Sequence, residues 1–452
     1  MNTIGTWESN VESIALNDSY RTDQDHYEAM FVKSPTLRIC HLGKYYHPFR
    51  GGIETHVRSL AQAQSKLGHD VTVACINHID SKGDDVWCRR LATTPSVTTD
   101  DHGVAVQKFG KFATVARFDF CTGVRRFLKQ ADKNFDVLHL HVPNPALCVW
   151  LASMKPKLPL VVTYHSDIVK QRFIRKPFRI VEDRVLKQVD RIIVATQAYR
   201  DSSDILRKYV DRTTVVPFGL DLTSYRNPSA KSLAYAEKLR SQYGDAPLWL
   251  CVGRLVYYKG FEHAVRALKH SPGRLMIVGN GPLFTSLQSL ATELGVSERV
   301  LWRNSLDDDE LRGAYLASTA LWFPSVVRSE AFGLVQIEAM ASGCPVINTD
   351  IAGSGVSWVS MDGVSGCTVP IENPMALAEA ANRIAMNPAF RARLSAGAIQ
   401  RAEEIFDIRR MTARTMQVYD SVLSRNTAPV LKPEPQSQNA SSQRELLTAE
   451  RS

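Results

Sequence analysis

"SEAFGLVQIEAM", Ser329 to Met340, runs on into Ala341, Ser342 and Gly343, with Pro345 beyond. Leu334, Ile337 and Ala341 recur at helical spacing, and Gly343 followed by Pro345 is a stop signal, so a helix is expected to start near Gly333 and end at Gly343. The two carboxylates of the stretch then fall in different places. Glu338 lies inside the helix, whereas Glu330 sits in the loop that leads into it. That loop also brings the backbone N–H groups of Phe332, Gly333 and Leu334, which a helix start leaves without intrahelical partners. A run otherwise composed for burial, carrying acids at these two points, reads as part of a site for a polar ligand.

Outward from this helix the chain repeats one grammar. From Leu37, β-rich runs ("LRICHLG", "DVTVACI", "VAVQKFG", "DVLHLHV", "LPLVVTYHS", "RIIVAT") alternate with helical patterns such as Ile53 to Leu67. The alternation restarts after Asp245 with "LWLCVGR", "RLMIVGN", "VLWRNSL", "ALWFPS" and "PVINTD". This is the pattern of α/β folding with largely parallel sheets. The expected architecture is two Rossmann-like, doubly wound domains facing a cleft. Residues 35–220 form the first and 245–405 the second, with a hinge between Pro217 and Asp245 and a C-terminal helix at 406–425 crossing back to the first. A polar extension, 1–34, and a tail, 426–452, have the composition of disordered segments. Ligands of such sheets bind beyond the carboxyl ends of the strands, so the functional residues should lie on strand-to-helix loops.

Composition sets outer limits. The chain has 452 residues, 44% of them apolar and 22% charged, and no apolar run approaches the ~20 residues of a membrane span. The first 34 residues lack a signal-peptide pattern, and the eight cysteines are widely spaced with no C-x-x-C pair. A cytoplasmic protein with no metal site and no cofactor is the expectation. The net charge of +9 suits phosphorylated ligands or anionic lipid and alone decides nothing.

Four loops carry candidate residues. "CVGRLVYYKGF" puts Arg254 at a strand end and Lys259 at a helix start, which fits either a pair of solvated cations or a clamp on a diphosphate. "IVGNGPLF" offers Gly279 and Gly281 for a tight turn and close backbone approach. "YYHPFRGGIETHV" sets Gly51 and Gly52 between the first strand and first helix, without the G-x-G-x-x-G of a dinucleotide site. "VTYHSD" ends a strand with His165 and Asp167. "DDDE", Asp307 to Glu310, reads as an acidic helix start rather than a metal-binding D-x-D.

Taken in order, these residues resemble the retaining GT-B glycosyltransferases of family 4, from Leu37 to about Leu423. The E-x-F-G-x-x-x-x-E pattern at Glu330, Phe332, Gly333 and Glu338 is the most specific element, supported by G-R-x-x-x-x-K-G at Gly253, Arg254, Lys259 and Gly260. The resemblance implies that Glu338 accepts hydrogen bonds from ribose hydroxyls and Glu330 from the transferred sugar. It likewise implies that Arg254 and Lys259 hold the diphosphate, that Gly52 approaches it from the other domain, and that His165 lies near the sugar. It implies transfer of a hexose, mannose favoured, from a nucleoside-diphosphate sugar to a glycan or lipid-linked acceptor, in exopolysaccharide or glycolipid assembly, without nucleic acid. A nonenzymatic sugar-nucleotide sensor on the same scaffold is the alternative.

One further feature stands apart. Lys170 to Arg191 carries eight Lys and Arg residues beside Ile174, Phe178, Val181, Val185 and Val189 on one face. Two readings are open: contact with anionic lipid at the inner face of the plasma membrane, or an apolar face packed on the sheet with its charges solvated.

Overall fold

The structure, a computed structural model, describes residues 35–424 apart from 50, 79–92, 116–117, 155 and 168–171. The N-terminal extension and C-terminal tail expected at 1–34 and 426–452 lie outside the described residues. The first half contains β1 (Arg38–Leu42), β2 (Asp70–Ile76), β3 (Ser96–Thr99), β4 (Ala105–Phe109), β5 (Lys111–Val115), β6 (Phe118–Cys121), β7 (Val137–Val142), β8 (Leu160–Tyr164), β9 (Arg191–Val194) and β10 (Thr213–Val215). The second contains β11 (Leu248–Val252), β12 (Arg274–Val278), β13 (Val300–Arg303), β14 (Ala320–Phe323), β15 (Val346–Asp350) and β16 (Gly366–Pro370). Among the helices between and after them are α1 (Gly52–Lys66), α2 (Arg172–Gln188), α3 (Ala230–Tyr243), α4 (Asp308–Ala317), α5 (Leu334–Ala341) and α6 (Ile408–Leu423).

The first sheet has the order β10-β9-β8-β7-β1-β2-β4-β3, parallel except for β3, while β5 and β6 form a separate hairpin. The second has the order β13-β12-β11-β14-β15-β16 and is parallel throughout. Helices cover both faces of such sheets, which is why β7, β8 and β11 are buried at every residue and read as near-continuous apolar runs. The order in which strands are added reverses between β7 and β1 in one sheet and between β11 and β14 in the other. At such switch points the loops diverge and leave a crevice. Every strand expected from the sequence forms. β3, β10 and β16, short edge strands with little apolar content, were not anticipated, nor was the separate hairpin of β5 and β6. The acidic helix start is realised as a capping box: the Asp307 side chain accepts from the N–H of Glu310, whose carboxylate accepts from the N–H of Asp307.

The domain boundary differs from the expected start at 245. Helix α3 precedes Asp245 yet packs against α4, and Ser229 and Ser232 donate to the Asp309 carboxylate at 2.8 and 3.1 Å. It therefore belongs to the second domain, packed on the helix α4. The chain crosses between domains near Gly219 and Leu220 and returns at Phe406 to Ile408, and the crossings lie side by side. The N–H of Leu220 donates to Phe406 O and the N–H of Ile408 to Leu220 O, each at 2.9 Å. After the return, α6 packs on α1 in the first domain, with Tyr419 fully buried.

On the basic helix, Phe178, Val185, Leu186 and Val189 are buried against the first sheet while Arg184 and Lys187 are exposed. The side chains of residues 172–177, and Lys170, lie outside the described residues. No described helix is long and apolar enough to cross a membrane. The seven described cysteines are free thiols, buried except for the partly covered Cys121.

The paired crossings make a direct test. A Cβ on Gly219 would come within 2.8 Å of Asp407 O and 2.9 Å of Phe406 O. Gly219→Val should therefore lower stability by about 1–3 kcal/mol, read as a drop in the urea midpoint; an unchanged midpoint would show that the crossings can separate without cost.

Candidate active site

The residues of the two strongest motifs meet at the switch point of the second sheet. Arg254 follows β11, half-buried, and Lys259 ends a short 3-10 turn just ahead of the helix Phe261–Leu268. Gly260 has φ 63°, and a Cβ there would lie 2.1 Å from Pro324 O, so the loops after β11 and β14 touch backbone to backbone. The N–H of Val326 donates to Tyr258 O at 2.9 Å across the same seam. This contact brings Lys259 Nζ to 2.5 Å from Glu330 Oε2, with the two side chains only 12% and 11% exposed. The sequence reading had Lys259 and Glu330 facing different parts of a ligand; the structure pairs them. Burial works against the Lys259 ammonium, but the adjacent Glu330 carboxylate prevails and its pKa is raised.

The expected helix forms as α5. Gly333, at φ 81°, turns the chain into it, and a Cβ at that position would strike the Phe323 ring at 2.5 Å. The N–H groups of Phe332, Gly333 and Leu334, in the loop that leads from Glu330 into α5, have no acceptor among the described residues. Phe332 itself is buried, with its ring 5.1 Å from Phe218 and 5.8 Å from Phe406, so it seals the domain junction while its backbone stays available. Glu338 accepts a hydrogen bond from Tyr315 on α4 at 2.8 Å. Burial raises its pKa, partly offset by that bond. Tyr315 carried no signal in the sequence beyond an apolar helix position.

Gly279 and Gly281 are placed differently from the sequence reading. Cβ atoms there would lie 2.0 Å from Gly253 O and 2.4 Å from Leu255 O. The close backbone approach is to the neighbouring loop, which these glycines hold in position. Gly52 is the reverse case. It opens α1 after β1, the strand at the first sheet's switch point, and a Cβ on it would meet nothing within 4 Å. Among the described residues nothing demands glycine there. Its neighbour Gly51 is confined by Glu54, 2.3 Å from a Cβ built on it, and burial lifts the Glu54 carboxyl to about 7.

Asp167, considered from the sequence as a strand-end polar partner of His165, is fully engaged. Its carboxylate accepts from Tyr164 Oη at 2.8 Å and Ser203 Oγ at 3.1 Å, and it pairs with Arg328 from the second domain. Arg328 also donates to Ser202 Oγ and Gly353 O, at 3.1 and 3.0 Å, and lies 4.2 Å above the Tyr199 ring. The pair latches the two domains at one side of the cleft. The motifs gave no hint of Arg328, because its first-domain partners lie more than a hundred residues away.

His165 sits at the first sheet's switch point, 7% exposed, within a group of five buried imidazoles: His41 on β1, His56 on α1, His139 and His141 on β7, and His165 itself. Burial depresses all five, His41 to about 4 and His165 to about 3, so the rings are neutral at physiological pH. His56, 2% exposed, has no partner at either ring nitrogen among the described residues. The ring nitrogens of His41, His139 and His141, and of His56, His141 and His165, approach within 4.8 Å in each trio. A search for C-x-x-C or D-x-D spacing passes over this group, since its members come from separate strands and a helix.

Residues 51–219 match the Glycosyl transferase 4-like domain and residues 237–401 match Glycosyl transferases group 1. The O-antigen chain mannosyltransferase C of Escherichia coli is 30% identical over 86% of this chain and 99% of its own. The D-rhamnosyltransferase WbpZ of Pseudomonas aeruginosa is 31% identical over 82% of this chain and 92% of its own. Among solved structures, Anabaena HepE with UDP and glucose superposes with a TM-score of 0.69 at 19% identity, covering 85% of this chain and all of that one, a likeness of fold. With two sheets facing one cleft, the motif residues at both switch points, and relatives matched along nearly their whole length, the chain belongs to the group 1 glycosyltransferases of GT-B fold.

Proposed function

We propose that this glycosyltransferase takes a nucleoside-diphosphate sugar as donor and transfers a hexose of mannose configuration, with retention, to a glycan or lipid-linked acceptor in polysaccharide or glycolipid assembly. The observation that carries the reading is the Lys259–Glu330 pair, formed between the loops after β11 and β14, which also carry Arg254 and the open N–H groups at the start of α5. Departure of a nucleoside diphosphate builds negative charge, and fixed cations with aligned N–H dipoles stabilise it without reorganising. In this reading the diphosphate competes for Lys259, freeing the Glu330 carboxylate to accept from sugar hydroxyls, while Glu338 takes the ribose. Support for the sugar comes from the two relatives named above, which act on mannose and on D-rhamnose, its 6-deoxy form. Membrane contact stays a proposal resting on the first turns of α2; from Phe178 onward the apolar face of that helix is taken up by the core.

Three outcomes follow. Screening UDP-, GDP- and dTDP-sugars for hydrolysis and thermal shift should select a single donor base, and transfer from it should persist in excess chelator, because the electrophile is built from side-chain cations; loss of activity restored by a divalent ion would overturn that assignment.

The ion pair contributes to both fold and turnover. Lys259→Met should cut turnover at least ~10²-fold and, by leaving a buried carboxylate without its partner, destabilise the fold by about 3–5 kcal/mol. Lys259→Met with Glu330→Gln should recover much of the stability and none of the activity. Denaturant melts beside single-turnover rates check this, and a double variant no more stable than the single would show the pair is not the cause.

Gly52 separates ligand from fold. Gly52→Ala should leave the melt unchanged or raise stability by up to about 1 kcal/mol, yet raise the KM for the donor, because the added methyl enters the space assigned to the diphosphate. An unaltered KM would remove Gly52 from the site.

A further inference from the structure

Four of the buried polar groups on the α1-covered face of the first sheet form one continuous hydrogen-bonded line. His41 Nε2 is 2.7 Å from Gln64 Oε1, His41 Nδ1 is 3.0 Å from His141 Nε2, and His141 Nδ1 is 3.2 Å from His165 Nε2. Every atom along the line is buried, and a neutral imidazole has one donor and one acceptor nitrogen. The orientation of the first link therefore dictates all the others.

That orientation is set at the Gln64 amide. On the side away from His41, Gln64 Nε2 lies 3.7 Å from Met416 Sδ and 3.4 Å from Tyr419 Oη, both on α6. A thioether sulfur accepts hydrogen bonds and cannot donate, so the NH2 faces Met416 and the carbonyl oxygen faces His41. The Tyr419 hydroxyl, 2.6 Å from His139 Nδ1, is free to donate there while its oxygen accepts from Gln64. With Gln64 Oε1 accepting, His41 carries its proton on Nε2 and accepts at Nδ1. His141 then donates from Nε2 and accepts at Nδ1, and His165 donates from Nε2. The remaining nitrogen of His165, Nδ1, has no partner among the described residues and belongs to the one ring of the line at the strand end facing the cleft.

We infer that Gln64, His41 and His141 are positioning residues that hold His165 in the Nε2–H tautomer, so that its Nδ1 is presented to the cleft as a hydrogen-bond acceptor. Selection originates on α6, through Met416 and Tyr419, at the far end of the line. An acceptor nitrogen there suits a donor sugar hydroxyl, a consequence that rests on the function proposed above. Packing of the His165 ring against His56 and Phe218, at 4.8 and 4.9 Å, fixes the ring plane, so the line needs to settle only the proton.

Long-range proton–nitrogen correlation spectra of the full chain labelled at histidine nitrogens read the tautomer without any substrate, with His165 assigned by the signals lost in His165→Asn. The expected result is a protonated Nε2 and a bare Nδ1. A protonated Nδ1, an imidazolium, or zinc co-purifying with the chain and occupying these nitrogens would overturn the inference. Gln64→Met removes the terminal acceptor and should give His165 as a mixture of tautomers, with kcat/KM for the donor reduced roughly 3- to 10-fold, the scale of one hydrogen bond. Met416→Leu keeps Gln64 and lets its amide turn, and should show the second tautomer as well. A single Nε2–H form persisting in both variants, or activity lost while the tautomer stays pure, would mean that these residues only pack. The expected tautomer alongside transfer that is indifferent to His165→Ala would leave the line standing and remove instead the contact between His165 and the sugar.

Discussion

The two chain crossings hydrogen-bonded through Leu220 set the relation on which the site depends. Each sheet by itself offers only loops at the carboxyl ends of its strands, and each carries half of the chemistry. The outward and return crossings are tied together side by side, so the two sheets are joined at a single paired seam. Phe218 and Phe332, edge to face at 5.1 Å, fill the junction just above the crossings and keep water from the bonds beneath. Arg328 and Asp167 fasten the opposite rim. The two domains therefore move, if they move, about an axis near Gly219 and against an ion pair.

Charge within the cleft is balanced before any ligand arrives. Lys259 would be costly to bury alone, and so would Glu330, yet side by side each supplies the counter-charge that makes the other tolerable. Such an arrangement suits a ligand carrying both an anion and hydroxyl groups, since it can replace both halves of the pair together. A ligand offering only one of these leaves a buried charge stranded, which makes the pair a filter as well as a binding element. The histidine group follows another logic. Its members stay neutral by burial, so that side of the cleft contributes direction of hydrogen bonding in place of charge.

Much of the fold was legible because parallel sheets covered on both faces demand long apolar runs, and those runs are plain in "DVLHLHV" and "LWLCVGR". The start of α5 and the acidic helix start at Asp307 were legible for a similar reason, since local chemistry decides them. What escaped depends on distance along the chain. Helix α3 looked like a linker because its partner α4 lies some seventy residues on, and only packing reveals which sheet it covers. Asp167 read as a group lining the cleft until Arg328 arrived from the other domain to claim it. Gly279 and Gly281 pointed to close approach correctly, but to the wrong neighbour: a bare Cα reports crowding and does not say by what. Lys259 and Glu330 were each recognised, and their pairing was not, since no spacing in the sequence encodes a contact between two loops.

Helix α6 has a consequence for how the protein is made. The first sheet is complete in sequence by Val215, yet the face bearing His41 and His139 is covered in part by Met416 and Tyr419, two hundred residues later. During synthesis the first domain leaves the ribosome with Gln64 of α1 and His139 of β7 lacking their cover from Met416 and Tyr419, and stays so until α6 has been translated. The second domain's sequence thus lies nested within that of the first, which waits for α6. The histidines soften that wait: a half-covered sheet face bearing imidazoles is hydrated and chargeable, whereas the same face built from valines would be an adhesive surface for other nascent chains.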